Sequence, residues 1–593
     1  MQSSSATEIV AAAEALRRNG DPLGLFEFAS HALEQGHQDS RLRYLKVLAL
    51  AQMGDCDHAE RLYRDYRLAD SGEEDALALG GRLAKDRALA AAGATRSALF
   101  RAASDAYLAA YALRSGYFPG INAASTAWAA GDRERARELA AKILADPEVA
   151  MPDGFYAAAT RAEALLLLGR CEEAAAAVEA ALRQPGAGDG ERASAYRQLA
   201  WLHRDQGVGG DGAEALLARL RPPPVITYCG HMFGEDAELE AALGRRIAAE
   251  LDALGAHSFY GALACGGDIM VAEEVVRRGC ELNVVLPFAQ EDFVRESVAP
   301  GGQGWLRRFH RCLAAAAGLT FASRMVYIGH DEQFGYGSML TMGLARLRAR
   351  QLCTEAVQLA VWDGDPASGR AGTGADVALW RGGGGITIAV PPGPADRKLS
   401  RAASGQAYQG PPRVIRAIIF TDFAGFSRLS EKALPEFWRE IMGRVAQIVD
   451  AHADAVCSRD TWGDALYLVI EDAPTAAEIA LEIQDALREA SFADAELRAG
   501  EGMRIGVHFG PVYADFDPVS RSPTFYGSEV TLTARIEPKV PSGEIYVTQP
   551  FAAILASAAP DRFASHYVGR IALAKGYGEW PIYQLGRAPA ASG

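Results

Sequence analysis

No uncharged apolar run in the 593-residue chain approaches the roughly 18–20 residues that a helix needs to cross a bilayer, so no transmembrane helix is expected. Basic residues are also in short supply. Sixty Lys and Arg against 75 Asp and Glu leave a net charge of -15, which disfavours nucleic acid as a partner, because phosphate affinity comes mostly from clustered cations. The eight cysteines are scattered and form no C-x-x-C pair, which points away from a zinc site or a disulfide framework. They are expected to be reduced and mostly buried. The N-terminus, MQSSSATEIVAAAEALRR, lacks the basic start and apolar run of a secretory signal. A cytoplasmic location is therefore expected.

The composition, 49% hydrophobic and 23% charged, is that of globular protein. The length calls for several cores, roughly three to five domains. Three segments differ in grammar. Residues 1–220 are Ala- and Leu-rich with helical periodicity. Three stretches in them are alike: LALAQMGDCDHAERLYRDY, TAWAAGDRERARELAAKIL and ALLLLGRCEEAAAAVEAAL. Each has an apolar helix, a Gly (Gly54, Gly131, Gly169), a few polar residues, and a second helix whose small Ala residues admit a neighbour. Residues 221–392 open on three prolines and alternate apolar strand runs (VITYCGH, LNVVLPF, AVQLAVWDG) with helical patterns, which predicts an α/β domain with a parallel sheet. Residues 393–412 read as a linker. Residues 413–587 predict an α+β domain: RAIIFTD is a strand, a helix follows from near Pro435, and MRIGVHFG and GEIYVTQ are further strands.

The chemistry concentrates in this last segment. In FTDFAGFS a strand delivers Asp422 at its end, and in TWGDAL a Gly turn presents Asp464. Two acids projected from adjacent strand ends can hold a pair of divalent cations, which activate a hydroxyl and clamp a triphosphate. Downstream, FYGSEVTLTARIEP predicts a helix bearing Arg535 one turn beyond Thr531.

Taken together, and with GVHFGPVY, PSGEIYVTQ and KGYGEWPIYQL, these motifs resemble the class III adenylate/guanylate cyclase catalytic domain. The resemblance implies an enzyme that turns ATP or GTP into a 3′,5′-cyclic nucleotide and pyrophosphate. It implies Mg²⁺ or Mn²⁺, two per site, on Asp422, Asp464 and the backbone carbonyl of Phe423. Arg535 would stabilise charge developing on the phosphates, and Lys575 would meet the terminal phosphates. Each site of the family spans a dimer, so a homodimer is implied. The chain departs from the family pattern in two respects. The purine-selecting places are held by Asp460 and Thr524, and Asp460 leans toward guanine because an acid accepts from guanine donors. Thr531 stands where most active members carry the Asn that orients the ribose. A second reading follows from these departures: a catalytically weak cyclase-like domain acting as a metal–nucleotide-binding regulatory or scaffold module.

Two further resemblances concern the upstream segments. The 1–220 grammar resembles tetratricopeptide-like repeats, and YFPGINAASTAWAAGD resembles the helical TRAF-binding region, which implies a scaffold or sensor with a protein partner on the repeats. In the middle segment, ACGGDIMVAEEVVRRG followed by LNVVLPF resembles a Rossmann-like domain of the SLOG type. This implies a nucleotide ligand at Gly266, Gly267 and Asp268, with Gly230 and His231 after the first strand and the Trp362-Asp363-Gly364, Gly372 and Gly374 segment nearby. His231 itself reads as a local hydrogen-bonding residue. The overall expectation is a multidomain chain: all-α helical repeats, a Rossmann-like α/β domain, then an α+β class III cyclase domain.

Overall fold

The structure is a computed structural model. It describes residues 6–18, 22–53, 56–184, 187–210, 212–366, 369, 371–392, 399, 410–490, 497, 502–573 and 578–588. The chain divides into two compact units. One is Met1–Pro222 with the short stretches Gln351–Thr354 and Val568–Arg570; the other holds the rest.

The first unit is helical. Its Ala-rich stripes let successive helices pack as close pairs, such as Glu74–Ala90 on Gly93–Arg114 and Phe155–Leu167 on Cys171–Leu182. The alike stretches close in the same way. Gly131 and Gly169 take φ of 91° and 77°, and the next amide reaches back to the helix, Asp132 to the Ala127 carbonyl at 3.0 Å and Arg170 to that of Leu165 at 2.9 Å. Gly54, in the first of the three stretches, lies outside the described residues. A polar network runs through this core. Glu163 accepts from Ser125 Oγ and from Gln198 Nε2, and Gln198 Oε1 accepts from Lys85 Nζ at 2.9 Å.

The eight cysteines form no disulfide, and only Cys229, Cys265 and Cys312 are buried. Cys56 and Cys171 each begin a helix, where packing covers one side only. That corrects the expectation of mostly buried thiols.

In the second unit, the first sheet is entirely parallel and runs β4-β3-β2-β1-β5-β6. Its strands are β1 (Val225–Gly230), β2 (Ser258–Gly261), β3 (Glu281–Leu286), β4 (Gly318–Phe321), β5 (Ala356–Val361) and β6 (Ile386–Ala389). The crossovers include α1 (Ala237–Leu254), α2 (Gly267–Arg277), α3 (Gln303–Ala315), α4 (Asp331–Gln351) and α5 (Thr373–Gly382). The β1 residues Val225–Cys229 are all buried, which is why this segment reads as a continuous apolar run rather than an alternation.

The second sheet is mixed. It contains β7 (Arg413–Phe423), β8 (Val456–Trp462), β9 (Ala465–Ile470), β10 (Met503–Asp517), β11 (Ser522–Tyr526), β12 (Ile545–Thr548), β13 (Phe563–Ala572) and β14 (Glu579–Arg587), in the order β13-β14-β12-β10-β7-β9-β8 with β11 on β10. Helices α6 (Gly443–Ala451), α7 (Ala473–Glu489), α8 (Ser528–Ile536) and α9 (Gln549–Ala558) accompany it. Apolar residues at helical spacing are buried here: Phe437, Ile441, Val445, Ile479, Ile483 and Leu487 join one core with Ile419 and Leu468, and Ile448 packs against it partly buried.

Helix α2 lies unusually close to β1. A Cβ on Gly230 would stand 2.7 Å from Gly267 Cα, so both positions need a bare backbone. Gly230→Ala should therefore force the helix off the strand and cost about 1–3 kcal/mol, read as a lower midpoint of thermal unfolding.

Candidate active site

Register places the acids. Strand β7 pairs with β9 on one side, Thr421 opposite Leu466, and with β10 on the other, Asp422 opposite Arg504. Asp464 sits in the tight β8–β9 turn, after Gly463 at φ 64°. The turn thus brings Asp464 beside Asp422, and its Oδ2 accepts from the Phe423 amide at 3.2 Å. Burial and the nearby Asp422 carboxyl push Asp464 up to about 6. The Phe423 side chain is in the core, against Phe437 with ring centroids 5.2 Å apart, so this residue faces the acids only through its backbone.

Arg504 was not singled out in the sequence, yet it joins the site. Its guanidinium pairs with Asp422 Oδ2. Its Nε stands 3.0 Å from Glu537 Oε1, an ion pair without an aligned hydrogen bond. Burial, with Asp422 and Asp464 adding to it against Arg504, pushes Glu537 up to about 7. Asp422 and Glu537 therefore share one cation, with Asp464 beside Asp422. The signal that could have found Arg504 was the antiparallel register itself, since MRIGVHFG laid against RAIIFTDF sets Arg504 opposite Asp422.

Among the described residues, no cluster of three or more His, Cys, Asp or Glu side chains stands ready for a metal. The donor set fits Mg²⁺ or Mn²⁺ nonetheless. Such ions are held by one or two carboxylates and take their remaining oxygens from backbone, water and substrate phosphate. Asp422 and Asp464 are two carboxyls whose mutual repulsion a cation would relieve.

Helix α8 carries the remaining charge. Arg535 lies in its last turn, half-buried, with Nε buried and without a hydrogen-bond partner among the described residues. Thr531, one turn earlier, turns its hydroxyl to the Gly527 carbonyl at 3.4 Å. Asp460 is exposed on β8 opposite Tyr467, and its Oδ1 accepts from the Thr461 amide at 2.8 Å. Tyr467 in turn donates to the Phe525 carbonyl at 3.0 Å, next to Thr524 on β11. Asp460 and Thr524 are thus linked through one tyrosine. Lys575 lies outside the described residues.

The middle-domain residues also converge. Gly230, His231 and Asp268 line a cavity of about 800 Å³ with Gly372 and Gly374. The Gly267 amide donates to the His231 carbonyl at 3.0 Å, and His231 Nε2 lies 2.9 Å from Asp363 Oδ1. Asp268 is buried, and burial pushes it up to about 7, against the Ala264 and Gly230 amides. Its Oδ2 accepts from Ala264 at 3.2 Å, while Oδ1 has no aligned hydrogen bond. Gly266 precedes α2 and Gly267 begins it, but neither lines the cavity itself.

The mixed sheet thus sets Asp422 and Asp464 side by side, with Arg535 on helix α8. Residues 414–587 match the model of the adenylate and guanylate cyclase catalytic domain, and residues 23–127 match that of the tetratricopeptide repeats-sensor. Among solved structures the chain is similar to the adenylyl cyclase CyaB from P. aeruginosa, at 19% identity over 31% of this chain and 100% of that one, with a TM-score of 0.26. It is also similar to the guanylate cyclase domain of RhGC from Catenaria anguillulae in complex with GTP, at 21% identity, 30% and 97% coverage and a TM-score of 0.26. No curated protein matches the chain. Among the described residues, no helix is long and apolar enough to cross a membrane.

Two outcomes follow for the two sites. Arg504→Ala removes the cation that Asp422 and Glu537 share, so it should lower the unfolding midpoint and enlarge the stabilisation that Mn²⁺ gives, since the ion then replaces the lost charge. Asp268 holds its proton more tightly folded than unfolded. Its contribution is therefore present at low pH and lost as pH rises through about 7. Relative to the parent, Asp268→Asn should gain on the order of 1–3 kcal/mol between about pH 5 and about pH 8, measured as the difference in thermal midpoints.

Proposed function

We propose that this chain is a nucleotidyl cyclase converting ATP or GTP to the 3′,5′-cyclic nucleotide and pyrophosphate. The observation that carries the reading is the approach of Asp422 to Asp464 inside a matched cyclase catalytic domain. The carboxylates of Asp422 and Asp464 and the Phe423 carbonyl hold Mg²⁺ or Mn²⁺, two per site. When bound, the ions lower the proton affinity of the ribose 3′-hydroxyl and neutralise triphosphate charge.

The protein's own groups do the rest. Arg504 pairs with both Asp422 and Glu537, so an ion at Asp422 would compete with it there while Glu537 would still hold it. Arg535, whose Nε lacks a hydrogen-bond partner among the described residues, is available to the charge that grows on the phosphates as pyrophosphate leaves. Thr531 offers the ribose a hydroxyl, and Lys575 meets the terminal phosphates. Asp460 and Thr524 read the purine, and an acid at the first of them favours guanine.

The site is completed by a second copy, with metals from one subunit and arginine from the other. Supporting this, large apolar side chains are exposed on the strands around it: Trp462 at 70% and Phe516 at 58%. The helical repeats hold a protein partner, and the middle domain holds a nucleotide.

One alternative is favoured by Thr531 and by the inward bond of Asp460 to Thr461: a domain that binds metal and nucleotide but turns over poorly, serving as a regulatory or scaffold module.

A single assay separates the two. Purified protein with ATP or GTP and Mn²⁺ or Mg²⁺ should yield cyclic product. Asp422→Ala and Asp464→Ala should abolish it, and Arg535→Ala should lower kcat by about 10²–10³. If neither nucleotide is cyclised above the Asp422→Ala background, the enzyme reading fails. Equal use of ATP and GTP would remove the basis for guanine preference.

A further inference from the structure

The cavity beside Asp268 lies where the parallel sheet changes direction. From β1 the chain runs through β2, β3 and β4 on one side, then returns to lay β5 and β6 on the other. At such a reversal the crossovers lead away from each other and leave a crevice at the carboxyl ends of the strands, which is where ligands bind in open α/β sheets. Here Gly230 ends β1 directly beside Val361, which ends β5, and the cavity opens over Gly230.

Its lining has a definite chemistry. Helices α2 and α5, of 11 and 10 residues, begin at this rim, and neither is capped by a side chain. At α2 the Gly267 amide is already bonded to the His231 carbonyl, so it is the first turn of α5, with the positive ends of the two helix dipoles, that favours an anionic group. The second, independent feature is Asp268. It is 6% exposed, lines the cavity and has one oxygen without an aligned hydrogen bond. Such a buried carboxyl is completed by a ligand hydroxyl or amine. Phosphate on the helix ends and hydroxyl on the acid together describe a ribose phosphate, and about 800 Å³ accommodates one with its base.

One wall of this cavity also belongs to the cyclase core. Gly337, Ser338 and Thr341 of α4 line the cavity, whereas Tyr336, Leu340 and Leu344 of the same helix are buried in the core built on β7, β9 and β10. The Tyr336 hydroxyl donates to the Phe509 carbonyl on β10 at 2.8 Å. Further along, the contact with α9 is so close that a Cβ on Gly343 would fall 2.1 Å from the Ala553 carbonyl oxygen. A displacement of α4 on the cavity side cannot be absorbed at such contacts and must move β10 or α9. Strand β10 also carries Arg504.

We propose that this cavity is a control site for the cyclase, taking a ribose phosphate whose presence helix α4 transmits to β10 and α9. The binding rests on the middle-domain reading given above and the output on the cyclase reading; the transmission through α4 rests on neither. Two sources share the required chemistry: the cyclic nucleotide that the cyclase would itself release, and an ordinary 5′-monophosphate.

The test uses the full chain carrying Asp422→Ala, which weakens nucleotide binding at the cyclase acids. AMP, GMP and their 3′,5′-cyclic forms are added, and thermal unfolding and amide hydrogen exchange are followed. At least one probe should raise the midpoint by several degrees. It should also slow exchange in α4 and in residues 505–512 and 549–558. The shift should vanish in Asp268→Ala and weaken at least about tenfold in Asp268→Asn, which keeps the shape if the alanine variant folds poorly. A preference for cyclic forms assigns feedback by product, and a preference for 5′-forms assigns sensing of free nucleotide; either supports the proposal. With Asp422 intact, the effective probe should change the cyclisation rate at least about threefold. Tyr336→Phe should keep the basal rate and the thermal shift but lose that response. The proposal is overturned if no probe binds, if Asp268→Ala binds unchanged, or if exchange changes stop within residues 223–392. Because exchange is read without turnover, a chain that makes no cyclic product would sink the enzyme reading and leave this result standing.

Discussion

Carboxyl groups brought together out of bulk water repel one another, and the end of β7, the β8–β9 turn and the residue after α8 bring three of them near one another. Asp422 and Glu537 share the guanidinium of Arg504, and Asp464 lies beside Asp422. This deficit of positive charge governs the site. It raises two of the acids and gives a divalent cation a reason to bind. It also fixes where β10 must lie, because Arg504 can reach both partners only from its register opposite Asp422. The geometry of the sheet and the electrostatics of the site are one constraint.

Much of this was legible in the residues. Asp422 and Asp464 are visible because each sits at the end of an apolar run beside a turn residue, and that pattern survives folding unchanged. Gly131 and Gly169 were legible for a similar reason, since a helix stop is a local event. Arg504 and Tyr467 were not legible. Their importance comes from partners on other strands, and pairing across a sheet leaves no trace in local periodicity. The half-buried cysteines were missed because composition cannot say which face of a helix meets another.

The shared helix was the least visible feature. Residues 331–351 read as part of the middle domain, and by sheet connectivity they are. Their Tyr336, Leu340 and Leu344, however, sit among Phe509, Phe551 and Ala553. A hydrophobic stripe predicts that a helix is buried, not which sheet buries it. The matched catalytic segment, 414–587, therefore stops short of the core that it contributes to.

That offset has a consequence during synthesis. Tyr336 leaves the ribosome 173 residues ahead of the Phe509 carbonyl that receives its hydroxyl. At roughly 5–20 residues per second, the helix waits on the order of ten to thirty seconds with an apolar stripe uncovered. The nascent α/β domain is complete in its strands but not in its surface, and it reaches its final form only when the last segment arrives. A fragment ending at the linker inherits that bare stripe permanently. A catalytic fragment cut at residue 413 inherits the complementary gap.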